Sequence, residues 1–209
     1  MIINKRLVYI ALTILFFSCQ QQANPVIRPQ EQPSPGSPEQ NGAIANPPLD
    51  KSMMDVSYYP ADFTVQKMGG KAEKEPFARV IYSRPARGGR EIFGEIVRFG
   101  KPWRMGANEA TEIEFFTDVY IQGKDIAKGR YTLYCIPFED RWELILNSSL
   151  YTWGLKIDPK SDIQKFSVRT EALPFTMEYL SMQFVPLEND FALQISWDKT
   201  KVTLPVSVQ

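Results

Sequence analysis

The clearest pattern in the chain is a strict alternation of apolar and polar residues in its last third. The alternation covers residues 166–169, 180–184, 191–197 and 202–207. A period of two gives an extended strand one apolar and one polar face, whereas an amphipathic helix needs a period of 3.6. We therefore predict four strands here. Pro205 has no backbone N–H to donate, which predicts that the last strand lies at a sheet edge or ends at that residue.

Further strands are predicted upstream, separated by short turn segments. They cover residues 77–83, 112–115, 119–124, 131–136 and 142–147. The strand at 142–147 has apolar residues on both faces, which favours a central position in a sheet. No long window has helical periodicity, and only residues 91–99 and 148–155 could hold a short helical turn. The fold class that we expect is all-β, an antiparallel sandwich or barrel of about nine or ten short strands with little helix.

The first residues have a different pattern, typical of a bacterial export signal. Lys5 and Arg6 precede an apolar run at residues 7–17, which is shorter than the roughly 20 residues that a membrane-spanning helix needs. Ser18 and Cys19 follow directly and resemble a lipobox. We predict a lipoprotein signal peptide at residues 1–18, with Cys19 as the lipidated residue. The alternative is ordinary signal cleavage, with Cys19 lost or free.

Residues 19–50 are rich in Pro, Gln, Asn and Ser and contain few large apolar side chains. Such a segment buries too little apolar surface to offset the entropy lost on ordering. We predict a disordered tether there, with polyproline character. The remaining residues, 51–209, are predicted to form one β domain.

The composition excludes several kinds of chemistry. The 209-residue chain has no histidine, which rules out His-ligated metals and Ser-His-Asp triads. Its two cysteines, Cys19 and Cys135, are too few for a cysteine-rich zinc site, and Cys135 sits in an apolar strand as a buried small hydrophobe. Basic and acidic residues number 24 each, so nothing favours nucleic-acid binding. We predict no metal and no cofactor, and leave any catalytic residue unassigned.

The densest group of unusual residues lies in a connector, residues 84–111, between two predicted strands. Structureless loops of this length are uncommon and are often functional, and its Ile, Phe and Trp residues predict an ordered segment. The candidate binding residues are Arg84, Trp103, Arg104, Asn108, Glu109 and Thr111. A guanidinium fork suits a carboxylate, a phosphate or an acidic sugar, and Trp103 would supply an aromatic wall. In the alternative, structural interpretation, Arg104 pairs with Glu109 while Asn108 ties down a tight turn.

The connector also carries a family resemblance. The run GREIFGEIVRFGKPWRMGANEATEIEF, followed by GRYTLYCIP, resembles the bacterial domain of unknown function family 2911, and the WGLKIDPKSDIQKFSV and LQISWDKTKVTLPV runs agree with it. The signal and tether are similar to those of Bacteroidetes-type lipoproteins. The chain departs from the family pattern where Leu155 and Lys156 replace Asp-Tyr-type residues after Trp153-Gly154. The family implies no established activity or ligand.

These observations predict a membrane-anchored envelope lipoprotein, facing the periplasm, that is a non-enzymatic binding or structural module. Its expected partners are the membrane, through the lipid anchor, and a small ligand, a glycan or an envelope protein. The alternative is a cryptic hydrolase that acts on an envelope or extracellular substrate through Arg104 and Glu109.

Overall fold

The structure is a computed structural model that describes residues 52–71 and 75–208. The predicted signal peptide, Cys19 and the predicted tether lie outside the described residues. None of the helices in the described part is long and apolar enough to cross a membrane.

The described residues form ten strands, one short helix and one 3₁₀ turn. In chain order they are β1 (Met53–Tyr59), α1 (Phe63–Met68), β2 (Ala78–Arg84), β3 (Glu112–Phe115), β4 (Val119–Ile121), β5 (Lys124–Ile126), β6 (Gly129–Pro137), β7 (Arg141–Asn147), the 3₁₀ turn (Pro159–Ser161), β8 (Asp162–Arg169), β9 (Glu171–Pro186) and β10 (Phe191–Val208). The strands pair antiparallel in two sheets, of order β1-β2-β3-β6-β7-β8 and β5-β4-β10-β9. The all-β, sandwich-like prediction is confirmed, and the sheets do not close into a barrel.

The core lies between the two sheets and follows the alternation seen in the sequence. On β10, Leu193, Ile195 and Trp197 are buried, and on β9 so are Leu180 and Met182. Removing this apolar surface from water supplies the main favourable term in folding, about 25 cal/mol per Å². Cys135 is fully buried in β6, as its apolar neighbours predict.

Several local predictions are wrong. The segments 191–197 and 202–207 are halves of one strand, because an irregularity at Asp198, with φ of 52°, bends β10 without ending it. β10 therefore continues through Pro205 and lies inside its sheet, between β4 and β9. The missing N–H is tolerated because β9 pairs with β10 up to Lys201 and β4 pairs with it from Ser207.

The helix also lies elsewhere than expected. Residues 91–99 and 148–155 form turns and bends, and the α-helix is at Phe63–Met68. The prediction for residues 142–147 holds better, because β7 lies between β6 and β8 and is buried over most of its length.

Candidate functional site

The connector runs from the end of β2 to the start of β3 and attaches to both sheets. Near its start, the Arg87 N–H donates to the Glu178 carbonyl of β9 at 2.6 Å. Further along, Trp103 pairs with Cys135 of β6, with N–H to oxygen distances of 2.8 and 3.0 Å. Trp103 thereby takes the place beside β6 that β3 occupies farther along that strand. The connector is ordered, as predicted, because its backbone groups bond to the strand edges.

Buried side chains of the connector anchor it to the core. Ile92 and Met105 are fully buried, and the Thr111 hydroxyl donates to the Met105 carbonyl at 2.8 Å. The Ser83 hydroxyl donates to the Ala107 carbonyl and accepts from the Ala107 N–H at 2.6 Å. These contacts tie the connector to the end of β2 and to its own backbone.

An aromatic cluster lies under the connector. The Trp103 and Trp197 rings stack with centroids 5.8 Å apart and an interplanar angle of 20°. Trp142 meets Trp103 edge-on at 5.7 Å, and Phe93 does so at 6.0 Å. Such pairs contribute about 0.5–1.5 kcal/mol each beyond the area that they bury. The cluster joins both sheets to the connector, because Trp142 belongs to β7 and Trp197 to β10.

Trp197 is held in place by the irregularity in β10. Its indole N–H donates to the Glu178 carbonyl at 3.3 Å, and the next residue, Asp198, pairs with Arg87 of the connector at 2.9 Å. The irregularity at Asp198 therefore positions both the Trp197 ring and the Asp198 carboxylate that pairs with Arg87 of the connector.

A cleft of about 420 Å³ opens above these rings, between the connector and residues 151–155, which we call the rim loop. Eight apolar residues, two arginines and two glycines line it; they are Pro85, Arg90, Ile96, Val97, Pro102, Trp103, Arg104, Gly106, Ala107, Gly154, Leu155 and Trp197. Ile96 and Leu155, at its edge, leave more than half of their side-chain surface exposed. The volume and the mixed lining are those of small-molecule sites in proteins.

The two arginines of the cleft are oriented by backbone carbonyls. Arg90 donates through Nε to the Arg87 oxygen at 2.9 Å and through Nη2 to the Ala86 oxygen at 2.6 Å. Arg104 donates through Nη1 to the Trp153 oxygen at 3.1 Å, and its guanidinium lies 5.8 Å from the centre of the Trp153 ring. These bonds favour one orientation of each guanidinium, which reduces the entropic cost of binding.

The structure brings together only part of the predicted site. Trp103 and Arg104 line the cleft, whereas Arg84 pairs with Asp55 at 3.1 Å and also bonds the Leu180 carbonyl. Asn108 donates to the Ser52 carbonyl at 2.8 Å. Thr111 is buried beneath the connector, and Glu109 is exposed on a separate depression beside β2.

The suggested pairing of Arg104 with Glu109 is not observed, since none of the ion pairs among the described residues joins them. Because Glu109 faces another depression, the two residues do not converge in one cleft as the hydrolase alternative requires.

Sequence reasoning missed Arg90, Leu155 and Trp197 as cleft residues. Arg90 belongs to the connector run and could have been included with its neighbours. Trp197 is 94 positions from Trp103 and reads only as one more apolar residue of an alternating strand. Leu155 stood out because it departs from the family pattern, but the neighbouring sequence does not indicate which surface its side chain faces.

Two further groups bear on possible chemistry. Burial raises the pKa of the Cys135 thiol well above its usual value, so the reactive thiolate is disfavoured. Within the described ranges, no cluster of three His, Cys, Asp or Glu residues could hold a metal ion.

The fold and the cleft together define a β-sandwich-like domain whose cleft lies between an ordered connector and the rim loop, above the Trp103 and Trp197 rings. Residues 62–206 match the family described as "Protein of unknown function (DUF2911)", and the chain belongs to this family. No curated protein matches the chain, and no solved structure matches it either.

Proposed function

We propose that this protein is a lipid-anchored lipoprotein of the bacterial cell envelope, facing the periplasm, whose β domain binds a small ligand in the connector cleft without transforming it. The anchor proposal rests on the charged start, the short apolar run at residues 7–17 and the Ser18-Cys19 pair. The tether would let the domain reach ligands away from the membrane surface.

One observation carries the binding role: the cleft of about 420 Å³ is walled by Trp103 and two carbonyl-bound arginines. A connector and a rim loop that served only to cap the sheets would gain nothing from keeping Ile96 and Leu155 exposed around a concavity. Exposed apolar side chains around a concave surface are typical of ligand sites.

The anchor is tested with Cys19→Ala in the producing bacterium. Acyl chains supply about 0.8 kcal/mol per buried CH₂, so their loss should release the protein from carbonate-washed membranes. A matched Cys135→Ala variant should stay in the membrane fraction. Retention of Cys19→Ala in the washed membranes would contradict the anchor and leave the cleft unaffected.

The binding role is tested by thermal shift of the full chain in detergent against a chemically diverse panel of small molecules. A ligand present at 100 times its Kd stabilises the folded state by about 2.7 kcal/mol. We expect ligands whose shift is lost in Leu155→Asp, on the cleft edge, and kept in Leu187→Asp, an exposed leucine outside the cleft lining. A panel without shifts that depend on Leu155 would remove the cleft as a binding site.

A further inference from the structure

We propose that the ligand of the connector cleft is a small organic anion with a flat apolar or aromatic body and a carboxylate or phosphate head group. The inference rests on the proposed function, because it names the ligand class of that same cleft.

The hydrogen-bonding side chains of the cleft offer donors and no acceptors. Among the twelve lining residues, only Arg90, Arg104, Trp103 and Trp197 have polar side-chain atoms, and the Trp197 indole N–H already donates to the Glu178 carbonyl. Guanidinium and indole groups donate hydrogen bonds and cannot accept them. An ionised carboxylate or phosphate only accepts, so it complements this set. A sugar hydroxyl both donates and accepts, and its hydrogen would find only backbone carbonyls, of which that of Gly106 already accepts from Arg104.

The charged side chains that line the cleft have the same sign. None of the lining residues is Asp or Glu, and no ion pair among the described residues involves Arg90. The connector as a whole contains six basic and three acidic side chains, and two of the basic ones are already paired, Arg84 with Asp55 and Arg87 with Asp198. A concave surface that is lined by guanidinium groups and by no carboxylate side chain attracts anions and binds them through charge-assisted hydrogen bonds.

The walls favour an apolar body. Eight of the twelve lining residues are Pro, Ile, Val, Ala, Leu or Trp, and the stacked pair Trp103 and Trp197 lies at the floor. Flat rings pack well against such a surface in offset or edge-on arrangements. This combination of donor-only polar groups and apolar walls favours an aromatic acid over the glycan that the sequence also allowed.

The test is isothermal titration of the full chain in detergent with four probes. They are 2-naphthoate, 2-naphthyl phosphate, the neutral isostere 2-naphthamide, and D-glucuronate, an anion with a polar body. Charge-assisted hydrogen bonds are about twice as strong as neutral ones, so at least one naphthyl anion should bind about tenfold tighter than naphthamide. It should also bind tighter than glucuronate. Comparison of the two naphthyl anions identifies the preferred head group.

Matched arginine variants locate the charge recognition. Arg90→Gln and Arg104→Gln should each reduce the preference for the naphthyl anion over naphthamide. Arg98→Gln, an exposed arginine of the same connector that does not line the cleft, should leave it unchanged. Circular dichroism of each variant checks that the β domain stays folded. Equal loss in all three variants would mean that general surface charge, and no oriented site, attracts the anion, and it would overturn the proposal.

Three other results overturn the ligand class. They are equal affinity for naphthoate, naphthyl phosphate and naphthamide, tighter binding of glucuronate than of either naphthyl anion, and no binding of any naphthyl probe. These outcomes are separate from failure of the proposed function, which the dependence of the thermal-shift panel on Leu155 decides.

Discussion

At the scale of single residues, Gly154 sets how closely the rim loop approaches the connector. Its φ is +73°, and a Cβ placed on it would lie 2.8 Å from the Arg104 Cβ and 2.9 Å from the Ala110 Cβ. A glycine is needed here for two reasons, the left-handed backbone and the lack of space. At Gly154 the rim loop therefore packs directly against Arg104 and Ala110 of the connector.

Gly154→Ala should destabilise the domain by about 2–5 kcal/mol, since it adds overpacking of about 1–3 kcal/mol to a backbone cost of about 1–2 kcal/mol. Gly89→Ala is the matched control, because Gly89 has the same φ of +73° and nothing within 4 Å of its added Cβ. It should show the backbone cost alone. Urea unfolding of both variants measures the difference, and equal losses would contradict the steric account.

At the scale of elements, the connector depends on a few buried hydrogen bonds as well as on its apolar anchors. Thr111 Oγ1 bonds the Met105 carbonyl from a fully buried position at the entry to β3. Met105 itself has a φ of 58°, which is unusual for a residue with a side chain and needs support from its surroundings. This bond supports the backbone just past Trp103 and Arg104.

Thr111→Val keeps the shape of the side chain but removes the donor, which leaves a buried carbonyl with one bond fewer. We expect a loss of about 1–3 kcal/mol in the free energy of unfolding. Thr176→Val, at an exposed position of β9, serves as the control and should change the stability by less than about 0.5 kcal/mol. A Thr111→Val variant as stable as the control would show that the bond does not hold the connector.

The elements also show how far sequence reasoning reaches. β3 and β8 were predictable because period-two alternation marks a strand with one face in the core, and β6 and β7 because each is a short apolar run bounded by turn residues. β1 and α1 were missed, since Met53–Tyr59 mixes exposed and half-buried positions at a sheet edge and the helix is only six residues long. The single strand β10 was divided in two because the bend at Asp198 interrupts the pattern without interrupting the strand.

The candidate site could be predicted only where its residues are close in sequence. Trp103 and Arg104 follow each other in a conspicuous run, and both line the cleft. Trp197 and Leu155 enter it through pairing of distant strands and through the path of the rim loop. Arg84 and Glu109 are equally good candidates in the sequence, but strand alternation and the direction of the turns place them on other surfaces. The spacing of residues within a loop does not determine these directions.

At the scale of the whole molecule, two sheets share one core and the connector closes one end of it. Three groups that lose protons in alkali are buried in this arrangement, one on β2 and two on β6. Burial raises the pKa of Tyr82 on β2, of Tyr134 on β6 and of the Cys135 thiol beside it. Hydrogen bonding to Asp162, at 2.9 and 3.0 Å, further raises the pKa of Tyr134.

These shifts predict that the domain loses stability in alkali. A raised pKa means that, above the ordinary values of 9.0 for Cys and 10.0 for Tyr, the unfolded chain has released protons that the folded protein keeps. The stabilisation is therefore complete below about pH 9 and is lost as the pH rises toward the folded-state values. Each proton that differs lowers the free energy of unfolding by about 1.4 kcal/mol per pH unit.

Urea unfolding from pH 7 to pH 10.5 should show a free energy of unfolding that is constant at first and then falls. Tyr134→Phe should start from a lower stability, because it loses the bond to Asp162, but should fall less steeply above pH 10. A flat profile to pH 10.5, or an unchanged slope in Tyr134→Phe, would mean that these buried groups do not couple proton loss to unfolding.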